Sequence, residues 1–482
     1  MKNKKAYILF SILIALFCIS LVSKIFPNDT YSAIKIGTYI LHNGIDFVEH
    51  FNFNELSYHN ARWLFNVIIA FIYNKFDFFG IYIFVIINSI TLGLIMFNTL
   101  FKRNKNIILS FLITLISMEF VGNYIVARAQ TISYILLFLE VVFIEKMLRE
   151  NKAKYILILL PISVFIANIH TSIWPMTLIL FLPYLGEYIV SKLFHSKVLY
   201  SETNNIKLLS ISFLIILLSG LLTPLGLLPY TYMFKTLSGI SSEFIIELQH
   251  ANIFRDFILL LLILLYGFLF ILRKKIKISD IFLISGLFIM SLMAIRNIPF
   301  LIILGAISLS RLIYDTITEF KIDINIITDK ICKNKLVMCL ITLFVIIISS
   351  IFCYMHIYNK EYIDISQYPV KASDYILDNI NLDELRLYNG FNNGSYLEFR
   401  GIKVLLDSRS EVYCKEFNDT SILEDWFHVT YGLEDYKPVF DKYNFTHILL
   451  YKSEPLNIKV ASDKDYKKIY EDEYFVLYEK VE

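Results

Sequence analysis

Apolar runs about as long as a membrane span recur from residue 6 to residue 358, and this recurrence restricts the fold more than any other feature of the chain. A bilayer core about 30 Å thick takes about 20 apolar residues per helical crossing. Hydrophobic residues make up 56% of the 482 residues and charged residues only 18%, too apolar a balance for a soluble enzyme of this length. An α-helical polytopic membrane protein is therefore expected. The net charge of +2 points to no partner, and the absence of a basic patch interleaved with aromatics argues against nucleic acid. The opening "MKNKKAYILFSILIALFCISLVSKIFP" has the order of a signal peptide, but it lacks a small-x-small cleavage site and is long enough to span, so a retained first helix is expected. Cys18, Cys332, Cys339, Cys353 and Cys414 show no metal-ligand spacing and do not suggest a disulfide framework.

Eleven crossings are expected, at 6–26, 79–101, 106–122, 129–148, 154–169, 172–192, 206–222, 256–272, 280–295, 297–314 and 336–357. The stretch 63–73, "WLFNVIIAFIY", is too short to cross and reads as a surface or partly inserted helix. Lys and Arg concentrate in cytoplasmic loops. With the N-terminus inside, "MKNKK", "FKRNKN", "EKMLRENKAK", "SKLFHSKVLYSETNNIK", "RKKIK" and "KIDINIITDKICKNK" all fall on one side. A further crossing at 63–73 would split them between the two sides. The first outer loop, 27–62, then faces outward, as do "FVGNYIVARAQ", "NIHTSIW", "RNIP" and everything after 358.

Composition divides the chain into a multi-span domain, 1–358, and a small C-terminal α/β domain, 359–482, outside the membrane. In the latter, "RLYN", "KVLLD", "HILLY", "DYKKIY" and "YFVLYEK" read as short strands, while "YPVKASDYILDNI" and "LEDYKPVFDKYN" read as helices.

Chemistry-bearing side chains gather on the expected outer face. Asp29 follows Pro27 at the end of the first span; it reads either as a helix-end acid or as a carboxylate poised over a lipid head group. Glu49 and His50, in "DFVEHFNF", fit ordinary loop polarity or a sugar or metal site. Arg128 begins a span, where an anchoring role is the plain alternative to ligand binding. Arg296 interrupts two apolar runs with no charged neighbour; such residues usually line a cavity or meet an anion, and a guanidinium suits a phosphate. His170 sits in a tight turn with Asn168 and Trp174. Glu243 and Glu247 are four apart and would share a helical face, after a Pro- and Gly-broken stretch of the kind that lines cavities at membrane depth.

Taken in order, "NDTYSAIKIGTYILHNGIDFVEHFNF" with "HNARWLF", then "ARAQTISYILL", "NIHTSIWP", "LLTPLGLLPYTY" with "EFIIELQHANIF", and "RNIPF" resemble the bacterial branch of the polytopic C-type glycosyltransferases, the GT-C superfamily. The stretches "YPVKASDYILDN", "LYNGFNNGSYLEFRGIKVLLDSRSEVY" and "HILLY" resemble the outer domain attached to one group of them. The resemblance implies a GT-C-like fold, a polyprenyl-phosphate sugar donor in the membrane, and a glycan, lipid or protein acceptor. It implies a catalytic acid in the first outer loop, at Asp29, with Glu49 as the second acid and Asp46 a near alternative. It leaves open a divalent ion at Asp29 and Glu49, although Asn28 stands where many members carry another acid. A phosphate leaving group needs cationic stabilisation, from Arg296 or Arg128, more than protonation, so one base suffices and the anomeric centre inverts. His170, Glu247 and His50 would contact substrate. The competing readings are a lipid-linked saccharide flippase, which would more often show internal repeats, and a non-catalytic scaffold.

Overall fold

The computed structural model of the protein describes residues 4–194, 196–237 and 244–481. Helices run along each of the eleven apolar stretches; the first elements are α1 (Lys4–Leu21), α2 (Asn28–Asn43), which belongs to the first outer loop, α3 (Trp63–Asn104), α4 (Ile107–Val121) and α5 (Ala129–Glu150). Among the described residues, six helical segments are long and apolar enough to cross a membrane: Lys4–Leu21, Trp63–Asn104, Ile107–Tyr124, Thr171–Leu193, Ile295–Glu319 and Lys335–His356. Four others, Ala153–Ile169, Ile206–Ser219, Phe257–Leu272 and Ile278–Met293, are apolar but shorter. The helix Lys335–His356 buries only Val345 and Ser349 and exposes Leu336, Leu340, Leu343, Phe344, Ile347 and Ile351. So large an apolar face is foreign to a water-facing surface and compatible with a membrane.

Asparagines punctuate these helices. The side chains of Asn106, Asn205 and Asn334 accept from backbone N–H groups of the helix each precedes, and Asn151 ends α5 in the left-handed conformation. The expected surface stretch 63–73 runs into the following span as one 42-residue helix, broken at Asp77, where φ is 54°. With ψ at −158° this lies outside the left-handed helical well and is rare for a residue with a side chain; Asp77 Oδ1 accepts from Phe78 N–H, at the start of the second arm, at 2.7 Å.

The chain divides into two compact units. The first comprises Met1–Lys24, Tyr82–Tyr230 and Ile246–Asn359; the second comprises Ile25–Ile81, Thr231–Ile245 and Lys360–Glu482. In the first, α1 packs on Lys335–His356, α4 on Ile298–Glu319, and Leu182–Leu193 on Ile278–Met293, with a short parallel pair, β1 (Leu199–Tyr200) and β2 (Ile276–Lys277).

The second unit is built on a mixed four-stranded sheet of β3 (Leu387–Tyr388), β4 (His447–Tyr451), β5 (Tyr466–Glu471) and β6 (Phe475–Lys480), in the order β3-β4-β6-β5. Only β3 and β4 run parallel. Side chains alternate across a strand, and both faces are covered. Ile448, Leu450, Val476 and Tyr478 join one core cluster, and Leu449, Phe475 and Leu477 join the other. The first cluster also takes in Ile36, Ile40 and Tyr58. The compositional break at 358/359 lies one residue from the boundary at Asn359/Lys360, whereas the first outer loop, grouped by sequence with the membrane domain, clusters with the C-terminal region.

Candidate active site

Asp29 lies in the first turn of α2, directly after Pro27, where a carboxylate is favoured by the helix dipole. Its Oδ1 accepts from Arg62 Nη1 at 3.2 Å and from Ser408 Oγ at 3.0 Å. The two ion-paired side chains are 12% and 19% exposed, so the pair is largely withdrawn from water but reachable. Two glycines permit the approach. A Cβ on Gly37 would collide with the Asn66 carbonyl, so only glycine lets α2 lie this close to the first turns of α3, which Arg62 precedes. A Cβ on Gly394 would likewise strike the Leu406 carbonyl, next to the segment that carries Ser408.

Arg62 was not among the side chains singled out from the sequence. Its signal was there to read: an isolated arginine in the same polar loop as the first acid. Burial opposes its charge, but Asp29, then Tyr58, Glu411 and Tyr232, hold the guanidinium above its ordinary range. The result is a carboxylate and a permanent cation from the first outer loop drawn together with a hydroxyl from a distant part of the chain.

Glu49 has a different setting. Its Oε2 meets Arg409 Nη1 at 2.5 Å, and Oε1 accepts from Phe51 N–H at 2.8 Å. Arg409 also donates to Glu398 Oε1 at 2.9 Å and to Asp407, and lies 4.9 Å from the centre of the Tyr58 ring. The four ionisable side chains are at most 1% exposed. One positive charge thus faces three carboxyls in a dry interior. Burial pushes Glu398 well above the usual carboxylate range; Arg409 pulls it down, and Asp407 and Glu49 add to the rise.

That rise fixes a sign for pH dependence. A carboxyl raised in the fold contributes fully below its ordinary value of about 4.3 and loses the contribution as pH climbs through its folded value. Glu398→Gln mimics the protonated form, so the melting temperature of Glu398→Gln minus that of the native protein should rise with pH between 5 and 9. A flat difference would show that Glu398 is ionised throughout.

Asp46, the alternative to Glu49, lies nearer the surface with His50. It accepts from Tyr39 Oη at 2.7 Å and meets His50 Nε2 at 2.7 Å, while the His50 and Tyr39 rings stack 4.4 Å apart. Burial works against its charge, yet hydrogen bonds from Tyr39, His50 and the Val48 N–H hold Asp46 below the ordinary carboxylate range. Among the described residues, no three His, Cys, Asp or Glu side chains gather as metal ligands would. Glu49 is turned to Arg409 and Asp29 to Arg62, so these two acids do not fit a shared ion.

The remaining candidates belong to the first unit, around the start of α5. Arg128 N-caps that helix and forms a two-pronged pair with Glu247, at 2.9 and 3.1 Å. With Glu247 56% exposed, the pair adds ~0–1 kcal/mol to stability. One turn into α5, Ser133 Oγ lies 2.9 Å from His170 Nδ1. Arg296 occupies a short 3-10 turn, Ile295–Asn297, whose Arg296 carbonyl accepts from Gln130 and whose Ile295 N–H donates to Gln249 O at 3.1 Å. Arg128, Glu247, His170 and Arg296 are therefore tied to one end of one helix. Glu243, the partner expected for Glu247, lies outside the described residues.

No family model matches the chain, and no curated protein matches it.

Proposed function

We propose that the protein is a GT-C-like membrane glycosyltransferase. It moves a sugar from a polyprenyl-phosphate donor to a glycan, lipid or protein acceptor on the outer face of the membrane, with inversion. The observation that carries the reading is the Asp29 carboxylate held between Arg62 and Ser408. The ordered resemblance of the polar segments supports it. In the proposed reaction the acceptor hydroxyl attacks the anomeric carbon, the bond from that carbon to the phosphate oxygen breaks, and polyprenyl phosphate leaves with the electron pair. Asp29 takes the acceptor's proton late, as suits a carboxylate whose ordinary pKa is about 3.9. Arg62 orients Asp29; Arg296 and Arg128 are the phosphate-binding candidates. The residues do not favour a metal-dependent step, and none is invoked.

The topology belongs to the same proposal: eleven crossings, N-terminus inside, loop 27–62 and the C-terminal region outside. Its basis is the one-sidedness of the basic clusters. Asn43, Lys452 and Lys274 are all exposed, so each can carry a cysteine probe. A membrane-impermeant thiol reagent added outside should label Asn43→Cys and Lys452→Cys and spare Lys274→Cys. Labelling of Lys274→Cys alone would turn the topology over. The activity is tested by supplying polyprenyl-phosphate hexoses to the protein in bilayers and following polyprenyl phosphate. Its acceptor-dependent release, with a product of inverted anomeric configuration, is expected; retention of configuration would refute the single displacement.

A further inference from the structure

The first unit holds a second charged site, far along the helices from the Arg128–Glu247 pair. Arg128 opens α5; this site lies at the other end of that helix, where the C-terminal turns of α3 and α5 meet the later part of Ile298–Glu319. There a cavity of about 180 Å³ is lined by Lys102, Arg103, Asn104, Arg149, Arg311 and Tyr314, among others. Three carboxylates also line it: Glu145, Glu202 and Asp315. Each is already matched. Glu145 pairs with Arg103 and, at 2.9 Å, with Arg311; Glu202 pairs with Lys277 at 2.6 Å; Asp315 pairs with Arg273 at 3.2 Å. Arg311 is further bound by Asp280, at 3.1 Å, which fixes its guanidinium. Lys102 and Arg149 are exposed at the cavity and have no ion pair among the described residues. With Asp280, and with Glu319, which shares Arg273 at 2.8 Å, five acids meet four internal cations, and Lys102 and Arg149 at the opening turn the balance positive.

We propose that this cavity binds the dianionic phosphate of a phosphate monoester. The shape of the charge favours that ligand over a halide or a lone carboxylate. The exposed Arg149 guanidinium offers paired N–H donors matched to phosphate oxygens and Lys102 adds a point charge, while Arg311, held by Glu145 and Asp280, and Arg103, held by Glu145, add positive charge from behind. The apolar flank of Ile307 and the Tyr314 ring leave room for whatever carries the phosphate. A soluble monoester and a lipid head group present the same group to the same cations. This site is independent of the glycosyltransferase reading, since none of its residues belongs to the Asp29 site.

The test uses the full-length protein in phosphatidylcholine nanodiscs. In one arm, glycerol phosphate is titrated and heat is measured; in the other, phosphatidic acid is built into the disc and retention is read by native mass spectrometry, with phosphatidylcholine as control. The probe variant is the double substitution Lys102→Gln and Arg149→Gln, which removes two exposed side chains and leaves the internal ion pairs intact. Saturable binding in either arm, weakened at least ten-fold in the double variant and by added salt, is expected. Binding of glycerol phosphate alone assigns a soluble ligand; binding of phosphatidic acid alone assigns a head group. Absence of binding in both arms overturns the proposal, as does binding that the double variant leaves unchanged, because Lys102 and Arg149 would then be helix-end cations only.

Discussion

Asp29→Asn should cut sugar transfer by about 10²–10⁴-fold, the usual share of a positioned general base, while donor binding stays within a few-fold of native. Asparagine keeps the size of the side chain and an oxygen for the Ser408 hydroxyl, but it carries no charge and takes up no proton. Arg62 loses its ion-pair partner, yet Glu411 remains among the groups that favour its charge, so the second unit should stay folded. The variant is informative only if both quantities are measured, turnover at saturating donor and donor affinity, together with a melting curve. Near-normal turnover in a folded variant would remove Asp29 from the base role. Loss of turnover together with donor affinity would instead make Asp29 part of the binding site.

Arg409→Met should destabilise the second unit by about 3–5 kcal/mol, the range seen when one member of a buried charge cluster is removed. The magnitude follows from what remains: Glu49, Glu398 and Asp407 without their shared cation, all at most 1% exposed. Methionine fills much of the volume, so a packing defect would account for little of the loss. Glu49→Gln should cost less, because Arg409 would keep two carboxylates and Gln can still accept at one oxygen. Limited proteolysis of the intact protein, reported as the temperature of half-cleavage in the C-terminal region, distinguishes the two. Equal stability of Arg409→Met and native protein would mean that the cluster is not dry.

This cluster also bears on how the second unit is assembled. Glu49, Ile36, Ile40 and Tyr58 come from the first outer loop, 27–62, and the other buried residues of that core cluster run from Tyr388 onward. A fragment of residues 360–482 would keep the sheet but leave Arg409 short of one carboxylate and one core face short of three side chains. The loop therefore acts as a structural part of the C-terminal unit as well as the carrier of Asp29.

What could be read from the sequence followed how local its cause was. The helices were legible because each depends on a continuous apolar stretch; their ends were less so, as where the expected span 6–26 stops at Leu21. The strands "HILLY" and "YFVLYEK" were legible for the same reason, β4 and β6 being the central pair of the sheet. The single helix across 63–104 was not, because its break falls on Asp77, neither proline nor glycine, and the nearby Gly80, where a Cβ would strike Phe76 and Ile72, reads in sequence as one more residue of an apolar run. The polar networks were least legible. Glu49 and Arg409 are 360 residues apart, and Asp29 and Ser408 are 379 apart. Nothing in the local composition of "LLDSRSEVY" says that its arginine will be fully buried; Asp407 is two residues away, but only the fold brings Glu49 and Glu398 to it. Arg128 and Glu247, singled out separately, pair with each other. Asp29 was legible as a position but not as a pair, because Arg62 looked like the start of a surface helix.

The claim that matters most is that this chain handles a sugar on a polyprenyl phosphate, and equilibrium binding addresses it without knowledge of the acceptor. Native protein and Asp29→Asn, each in phosphatidylcholine nanodiscs, are titrated with polyprenyl-phosphate hexose, and with polyprenyl alcohol as the control that lacks both phosphate and sugar. Saturable binding of the sugar phosphate by both proteins, at least ten-fold tighter than the alcohol, is the predicted result. Equal, unsaturable uptake of sugar phosphate and alcohol would contradict the account, since the lipid tail alone would then be partitioning into the disc.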